Sequence, residues 1–197
     1  DTTNMFVKFF FKIFFEVSKL IDINSIDKLI NQIKKIKDKK GRIFFVGVGG
    51  SAANASHAVN DFRKICEIEC YSPLDNVSEL TARINDEGWD SSIAEWLRVS
   101  KINSKDAIFV FSVGGGDINK KVSVNIVNAI KYSKTKKAKI FGIVSNKGGY
   151  LKKNGDCVIY IPIVNDGLIT PIAESYQAVV WHCIVSHPLL KKNKTKW

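Results

Sequence analysis

Proline is scarce in this chain: four prolines occur among 197 residues, and no proline-, glycine- or serine-rich linker divides them. The absence of an internal repeat also excludes a repeat architecture. One domain is therefore predicted over residues 1–197, with a helical segment at 1–40, a core at 41–190 and a basic tail at 191–197. None of the four cysteines forms a Cys-x-x-Cys pair, which predicts reduced, buried thiols in a cytoplasmic protein rather than a disulfide framework.

A long uncharged apolar run is absent as well. Residues 5–21 are very apolar, but Lys8, Lys12, Glu16 and Lys19 place one charge on each helical turn. A membrane span needs about 20 largely uncharged residues. The segment is therefore predicted to be a helix buried between subunits, with a helix lying on a membrane surface as the alternative. Its predicted apolar face comprises Phe6, Phe9, Phe10, Ile13, Phe14, Val17, Leu20 and Ile21.

Acidic residues are outnumbered, 19 against 30 lysines and arginines, which gives a formal net charge of +11. Much of the surplus lies in short lysine clusters. Aromatic residues are not interleaved with these clusters, as a platform for single-stranded nucleic acid requires. Solvated lysines are therefore favoured over a nucleic-acid site, and the positive charge is expected to attract an anionic metabolite.

Two glycine-rich turns stand out among the features that are present. Residues 47–51 (Gly-Val-Gly-Gly-Ser) and 112–117 (Ser-Val-Gly-Gly-Gly-Asp) each follow an apolar, strand-like run and precede a helix-like segment. Such a turn points backbone N–H groups and the positive end of a helix dipole at one spot. Two of them on neighbouring parallel strands would frame an anion-binding crevice at the carboxyl edge of a sheet. A small phosphorylated ligand is the resulting prediction.

Strand-like and helix-like segments alternate along the chain. Solid apolar strands that alternate with helices indicate a parallel sheet covered on both faces, a three-layer α/β/α sandwich. The predicted strands are 42–46, 67–71, 107–113, 138–144 and 157–162. The predicted helices after the first are 25–37, a helix following Ser51, 76–85, 91–101, 119–132, 149–153 and 171–186.

Four motifs resemble the sugar isomerase (SIS) superfamily, and in particular its phosphoheptose isomerase branch. They are residues 47–57 (Gly-Val-Gly-Gly-Ser-Ala-Ala-Asn-Ala-Ser-His), the pair Asn85-Asp86, the loop at Ser112, and the late helix with Glu174 and His182. The resemblance covers residues 25–190 in order and spacing. It implies a five-stranded SIS fold, a homotetramer with N-terminal helices in the interface, a zinc ion and no nucleotide cofactor. The implied reaction interconverts sedoheptulose 7-phosphate and D-glycero-D-manno-heptose 7-phosphate, on the way to a surface polysaccharide such as lipopolysaccharide or capsule.

The resemblance also implies a set of metal ligands and catalytic groups. His57 and Asp61 lie four residues apart on one predicted helix and therefore share a face. With Glu174 and His182 they form a set of two histidines and two carboxylates that suits zinc or another divalent first-row metal. The resemblance implies Asp61 as catalytic base and His182 as general acid, although the family has glutamate and glutamine where this chain has Asp61 and Glu174. Since eight residues exceed two helical turns, Glu174 and His182 converge on one metal only through an irregular helix or a second subunit.

Plainer structural roles compete with these assignments. Asp61 is also compatible with a solvent-facing helix position, and His182 with a core position beside Trp181. His187 precedes a proline at a helix end and is interpreted as structural. The pair Asn85-Asp86 also suits a helix end and turn.

The second turn departs from the family pattern. Ser112 is retained, but glycines and Asp117 stand where the family has hydroxyl side chains that hold phosphate. Backbone amides of the glycines can still cradle an anion, whereas Asp117 would repel one unless Lys120 or Lys121 compensates. The predicted substrate contacts are Gly49, Gly50, Ser51, Asn85, Asp86, Ser112, Gly114, Gly115, Gly116, Asp117 and Glu174.

Two other functions remain open at this point. A non-catalytic SIS protein would bind a sugar phosphate or a protein partner as a regulator. A dinucleotide-binding protein would use Gly47, Gly49 and Ala52 as a glycine fingerprint, with Glu67 or Glu69 on the ribose. The dinucleotide scheme gives the second glycine turn no role.

Overall fold

The computed structural model describes residues 2–196, and these form a five-stranded parallel sheet between two layers of helices. The strands are β1 (Ile43–Val46), β2 (Cys70–Tyr71), β3 (Ala107–Phe111), β4 (Lys139–Val144) and β5 (Cys157–Tyr160). The helices are α1 (Thr2–Leu20), α2 (Ile23–Asp38), α3 (Gly50–Cys66), α4 (Val77–Glu87), α5 (Ser92–Val99), α6 (Val124–Thr135), α7 (Gly149–Asn154) and α8 (Ile169–Ser186), with a short 3-10 helix at Asp166–Leu168. The strand order β2-β1-β3-β4-β5 confirms the predicted sandwich.

The strands are apolar on both faces because helices cover both faces. Every residue of β1 and β3 is buried. Phe45 and Phe109 stack with ring centroids 5.2 Å apart on the face covered by α1, α2, α3 and α8. Phe44 and Ile108 point to the other face, against α5, α6 and α7. Since burial of one such side chain contributes about 1.5–3 kcal/mol, these rows hold the centre of the sheet together.

An ion pair fixes the amino ends of the two central strands. Asp106 is only 2% exposed and accepts hydrogen bonds from the Arg42 backbone N–H (2.9 Å) and guanidinium Nη2 (2.8 Å). The Asn103 N–H also donates to this carboxylate, and its proximity raises the pKa of Arg42. The pair keeps β1 and β3 in register, with Val46 beside Val110. The two glycine turns therefore leave the sheet side by side.

Helix α1 packs on the sandwich through one narrow face. Ile13 and Val17 are buried, and Tyr176 donates a hydrogen bond to the Phe14 carbonyl at 2.6 Å. The predicted apolar face is only partly covered, because Phe6 and Leu20 are 56% and 61% exposed. Other exposed apolar side chains of this helix are Met5, Val7, Phe9, Phe11 and Phe15. Across residues 2–196, no helix combines the length and apolar character that crossing a bilayer requires.

Several predicted boundaries were wrong for local reasons. The helix expected at 119–132 begins only at Val124, because Asp117 and Val122 pair as an antiparallel bridge and Ser123 has a positive φ of 50°. The second strand is limited to two residues, since Glu67 adopts the left-handed conformation that ends α3.

The cysteine prediction was correct for three of the four thiols. Cys66, Cys70 and Cys157 are free and buried, whereas Cys183 is exposed. Burial raises the pKa of the Cys66 thiol to about 11 and also raises the pKa values of Cys70 and Cys157. Cys183 is exposed because the buried face of α8 runs through its neighbours Val180, Trp181, Ile184 and Val185.

Candidate functional site

The first glycine turn delivers α3 directly to the carboxyl edge of β1. Gly49 precedes the helix with a φ of +62°, and a side-chain carbon there would meet no atom within 4 Å, so this residue borders open space. The helix then runs back along the sheet and packs against α8. This packing places the predicted site residues of segment 57–61, on α3, opposite those of segment 174–182, on α8.

Three of the four predicted metal ligands lie together. One ligand atom each from His57, Asp61 and His182 falls within a group whose members are all within 4.8 Å of one another. The Asp61 Oδ2 atom lies 3.5 Å from His57 Nε2 and 3.4 Å from His182 Nε2. The imidazoles are about half exposed, whereas Asp61 is buried. Such a group could hold a metal ion, with its open side towards solvent.

Asp61 is anchored from the protein interior. Trp181 Nε1 donates to its Oδ2 at 3.0 Å, and Asn60 Nδ2 donates to its Oδ1 at 3.0 Å. Trp181 is buried and stacks on Phe111, the last residue of β3, at 5.8 Å and 10°. The carboxylate position is therefore set by the core rather than by solvent. Sequence reasoning missed Trp181, although its place beside His182 on an apolar helix could have indicated a buried donor.

The tautomer of His182 follows from its hydrogen bond. Its Nδ1 lies 2.7 Å from the Ala178 carbonyl. A carbonyl only accepts hydrogen bonds, so Nδ1 carries the proton and the neutral ring leaves a lone pair on Nε2. That lone pair is on the atom that approaches Asp61, which is the arrangement of a metal-binding imidazole with its second nitrogen bonded to a carbonyl.

The fourth predicted ligand, Glu174, lies elsewhere. It is not part of the three-residue group, and its carboxylate instead presses against Gly50 at the start of α3. A side-chain carbon at Gly50 would lie 2.5–2.8 Å from the Glu174 carboxylate atoms. The Glu174 carboxylate therefore borders the first turn, whereas Asp61 contacts the histidines three turns further along α3.

A polar network that sequence reasoning missed ties α8 to the first turn. Asn54 Nδ2 donates to the Glu174 carbonyl at 2.9 Å and to Gln177 Oε1 at 2.7 Å. Gln177 Nε2 in turn donates to Ser51 Oγ at 3.0 Å. Ser51 and Gln177 are buried, so the predicted substrate-binding hydroxyl lies within the α3–α8 interface. The sequence contained one signal for this network. Positions 51, 54, 174 and 177 are polar although they lie on helix faces that pack against each other.

The second glycine turn is built against the loop that precedes α7. Ser112 Oγ accepts the Gly115 N–H at 3.0 Å, which closes the turn. The carbonyls of Gly115 and Gly116 accept the N–H groups of Leu151 (3.0 Å) and Tyr150 (2.8 Å). These glycines pack their backbone against the backbone of the neighbouring loop, while a side-chain carbon at Gly114 would meet nothing within 4 Å.

A cavity of about 210 Å³ opens beside this turn. Gly114, Asp117, Lys120 and Lys147 are among its lining residues. The Asp117 carboxylate accepts the Lys120 N–H at 3.1 Å and so shapes the bridged loop. Lys147 comes from the loop after β4 and was not among the predicted residues. Two lysines and one carboxylate leave this lining with a surplus of positive charge.

Asn85 and Asp86 lie in the last turns of α4 and are exposed. Asn85 Nδ2 donates to Asp86 Oδ1 at 2.8 Å. Within the described chain, neither side chain hydrogen-bonds to a glycine turn or to the three-residue group. The structure does not bring this pair together with the other predicted site residues.

Known proteins resemble this chain in sequence and in fold, although no protein-family model matches it. The lincomycin biosynthesis protein LmbN of Streptomyces lincolnensis is 30% identical over 158 residues, which is 75% of this chain but 56% of that protein. A phosphoheptose isomerase of Buchnera aphidicola is 28% identical over 71% of each chain. The structure of phosphoheptose isomerase GmhA from Neisseria gonorrhoeae superposes with a TM-score of 0.80 at 18% identity, covering 94% of this chain and 97% of that one.

The parallel α/β/α architecture matches the fold of solved phosphoheptose isomerases. Curated phosphoheptose isomerases at 24–28% identity also resemble the chain over 71–84% of its length. In sequence and fold the chain is therefore similar to the phosphoheptose isomerase branch of the sugar isomerase (SIS) superfamily, a class of phosphosugar isomerase enzymes.

Proposed function

We propose that this chain is an aldose–ketose isomerase that converts sedoheptulose 7-phosphate to D-glycero-D-manno-heptose 7-phosphate for surface polysaccharide synthesis. The observation that carries the proposal is the group formed by His57, Asp61 and His182 on the two helices beside the first glycine turn. The names of the phosphoheptose isomerase relatives support the seven-carbon substrate. A regulator that only binds a sugar would need no such group.

We propose zinc as the metal, held by His57, Asp61 and His182. Two imidazole nitrogens and one carboxylate oxygen are a typical catalytic zinc set that leaves a position open. When bound, the metal would polarise the sugar carbonyl and its neighbouring hydroxyl. The hydrogen bonds from Trp181 and to Ala178 orient Asp61 and His182 for this role.

Ligation and acid catalysis compete for the same atom of His182. Its Nδ1 proton is committed to the Ala178 carbonyl, so both roles fall on Nε2. A nitrogen that lends its lone pair to a cation carries no proton to donate. We therefore propose ligation as the role of His182 in the loaded enzyme.

The substrate phosphate is proposed to bind in the cavity beside the second glycine turn. Gly114 borders this cavity, and Lys120 and Lys147 supply charge where the family uses hydroxyls. Lysine binds phosphate as a point charge, so Asp117 is tolerated because two cations outnumber it.

The described residues are proposed to form one domain that assembles into a homotetramer through α1. The row of exposed phenylalanines, Phe6, Phe11 and Phe15 among them, is a large apolar surface for a monomer. Sedimentation equilibrium of the wild-type chain is expected to give four times the protomer mass. The double variant Phe11→Asp, Phe15→Asp is expected to lower it, and an unchanged mass would place the interface elsewhere.

The cytoplasm is the proposed location. The four cysteines of the described chain are free, and the cytosol keeps thiols reduced.

The function is tested by presenting purified, zinc-loaded protein with ketose phosphates of five, six and seven carbons. The expected result is aldose formation that is fastest with sedoheptulose 7-phosphate and is lost by at least about 10²-fold after the metal is removed by a chelator. NMR of the product measures both the rate and the sugar formed.

Two outcomes would contradict this proposal. Tight binding of a ketose phosphate without turnover would support the regulatory alternative. Turnover that is unaffected by complete metal removal would leave the His57, Asp61 and His182 group without its proposed role.

A further inference from the structure

The two oxygens of the Asp61 carboxylate have different surroundings. Oδ2 faces the metal-binding group, since it lies 3.5 Å from His57 Nε2 and 3.4 Å from His182 Nε2. Oδ1 instead accepts a hydrogen bond from Asn60 Nδ2 at 3.0 Å. One oxygen of this carboxylate is therefore presented to a cation, while the other is held by a protein amide.

A second donor fixes the rotation of the same carboxylate. Trp181 Nε1 donates to Oδ2 at 3.0 Å. The indole is 1% exposed and stacks on Phe111 with an interplanar angle of 10°, so it cannot follow a carboxylate that turns. Because each oxygen already accepts a hydrogen bond, rotation about the Cβ–Cγ bond of Asp61 would break both bonds and leave a buried donor without a partner, which is costly.

The orientation of a carboxylate decides how many ligand atoms it supplies. Bidentate binding needs both oxygens turned towards the cation, whereas binding through one oxygen leaves the other available for a hydrogen bond. Zinc takes four ligands and uses one carboxylate oxygen beside two imidazoles. Manganese(II) and calcium prefer six or more ligands, most of them oxygens. A carboxylate restricted to one oxygen therefore withholds a ligand from these cations and none from zinc.

We infer that Asn60 and Trp181 are positioning residues that restrict Asp61 to one ligand oxygen and thereby select zinc over larger, oxygen-preferring cations. The inference rests on the metal site of the proposed function, and it concerns the choice of metal rather than the reaction. Neither residue supplies a ligand atom to the group. Both act through Asp61, Trp181 from the core and Asn60 from the surface.

The test measures the dissociation constants of zinc and manganese(II) by isothermal titration of metal-free wild type and Trp181→Phe. Phenylalanine retains an aromatic ring against Phe111 and removes the N–H donor. Zinc affinity is expected to fall by about 10–100-fold, as it does when other partners of metal ligands are lost. Manganese affinity is expected to stay the same or rise, because a carboxylate that can turn offers this cation a second oxygen. The preference for zinc should therefore fall by at least about tenfold.

Asn60→Ala supplies a second variant at low risk of misfolding, since Asn60 is exposed. The substitution frees Oδ1 of Asp61 from its protein donor. We expect the preference for zinc to fall by about threefold, less than in Trp181→Phe, because water can replace an exposed amide.

Trp96→Phe is the matched control for the loss of an indole. Trp96 packs edge-on against Phe44 on the other face of the sheet, with ring centroids 5.6 Å apart. The preference for zinc is expected to stay within about twofold of the wild type, because this site shares no partner with Asp61. A fall as large as that in Trp181→Phe would overturn the inference.

Urea denaturation of the same metal-free proteins separates positioning from a merely structural role. A folded Trp181→Phe variant with lower stability but an unchanged preference for zinc would overturn the inference. If that variant does not fold, Asn60→Ala decides by the same criterion. A wild type that binds neither cation overturns both the inference and the proposed metal. The expected change in preference, in a protein that isomerises no ketose phosphate, would overturn the proposed reaction and leave the inference intact.

Discussion

Replacing His182 with alanine is expected to remove both bound metal and turnover. The substitution deletes one of three ligand atoms at the mouth of the site, where His182 Nε2 lies 3.4 Å from Asp61 Oδ2. We expect metal affinity to fall by at least about 10²-fold and kcat/KM by at least about 10³-fold. Isothermal titration with zinc and the NMR isomerisation assay measure the two losses.

His187→Ala is the matched control for this variant. His187 lies just beyond α8, where its Nδ1 accepts the Leu189 N–H at 3.1 Å. It belongs to no metal-binding group in the part of the chain that the structure describes. Metal affinity and kcat are expected to stay within about twofold of the wild type. A similar loss in both variants would point to damage at the end of α8 rather than to ligation.

Replacing Gly115 with alanine is expected to destabilise the second turn strongly. Gly115 has a φ of +73°, and a side-chain carbon there would overlap the Gly148 carbonyl oxygen. The two loops must then separate, which weakens the bonds from Leu151 N–H to Gly115 and from Tyr150 N–H to Gly116. Left-handed strain costs about 1–2 kcal/mol and each bond about 1 kcal/mol, so the free energy of unfolding should fall by about 3 kcal/mol.

Gly114→Ala provides the control one residue away. A side-chain carbon at Gly114 would meet no atom within 4 Å, so the free energy of unfolding should change by less than about 0.5 kcal/mol. Urea denaturation of the two variants measures the difference. Equal stabilities would mean that the tight contact between the two loops is absent in solution.

The sheet could be predicted because its physical signal is local and redundant. Residues of β1 and β3 are apolar without interruption, and each strand runs into glycines at its carboxyl end. The start of α6 could not be predicted in the same way. There, Asp117 caps a turn at Lys120 and Ser123 adopts a positive φ, and this turn chemistry overrides the helical pattern that follows.

The site was partly predictable for a similar reason. His57 and Asp61 are one turn apart on one helix, so their proximity follows from helix geometry. The position of Glu174 depends on how α8 rotates against α3, which the buried residues Gln177 and Trp181 decide. The eight-residue spacing does predict that Glu174 and His182 lie apart on a regular helix, but which of the two meets Asp61 depends on how α8 packs against α3.

Because Trp181 donates a hydrogen bond to Asp61, its fluorescence is expected to respond to a cation at the candidate metal site. Its ring centroid lies 5.1 Å from that of His57 and 4.9 Å from that of His182, and the indole also stacks on Phe111 in the core. Any cation that reorganises the carboxylate must change the polarity around this indole. The contribution of Trp181 to the emission of the four tryptophans can therefore be used to follow occupancy without an attached dye.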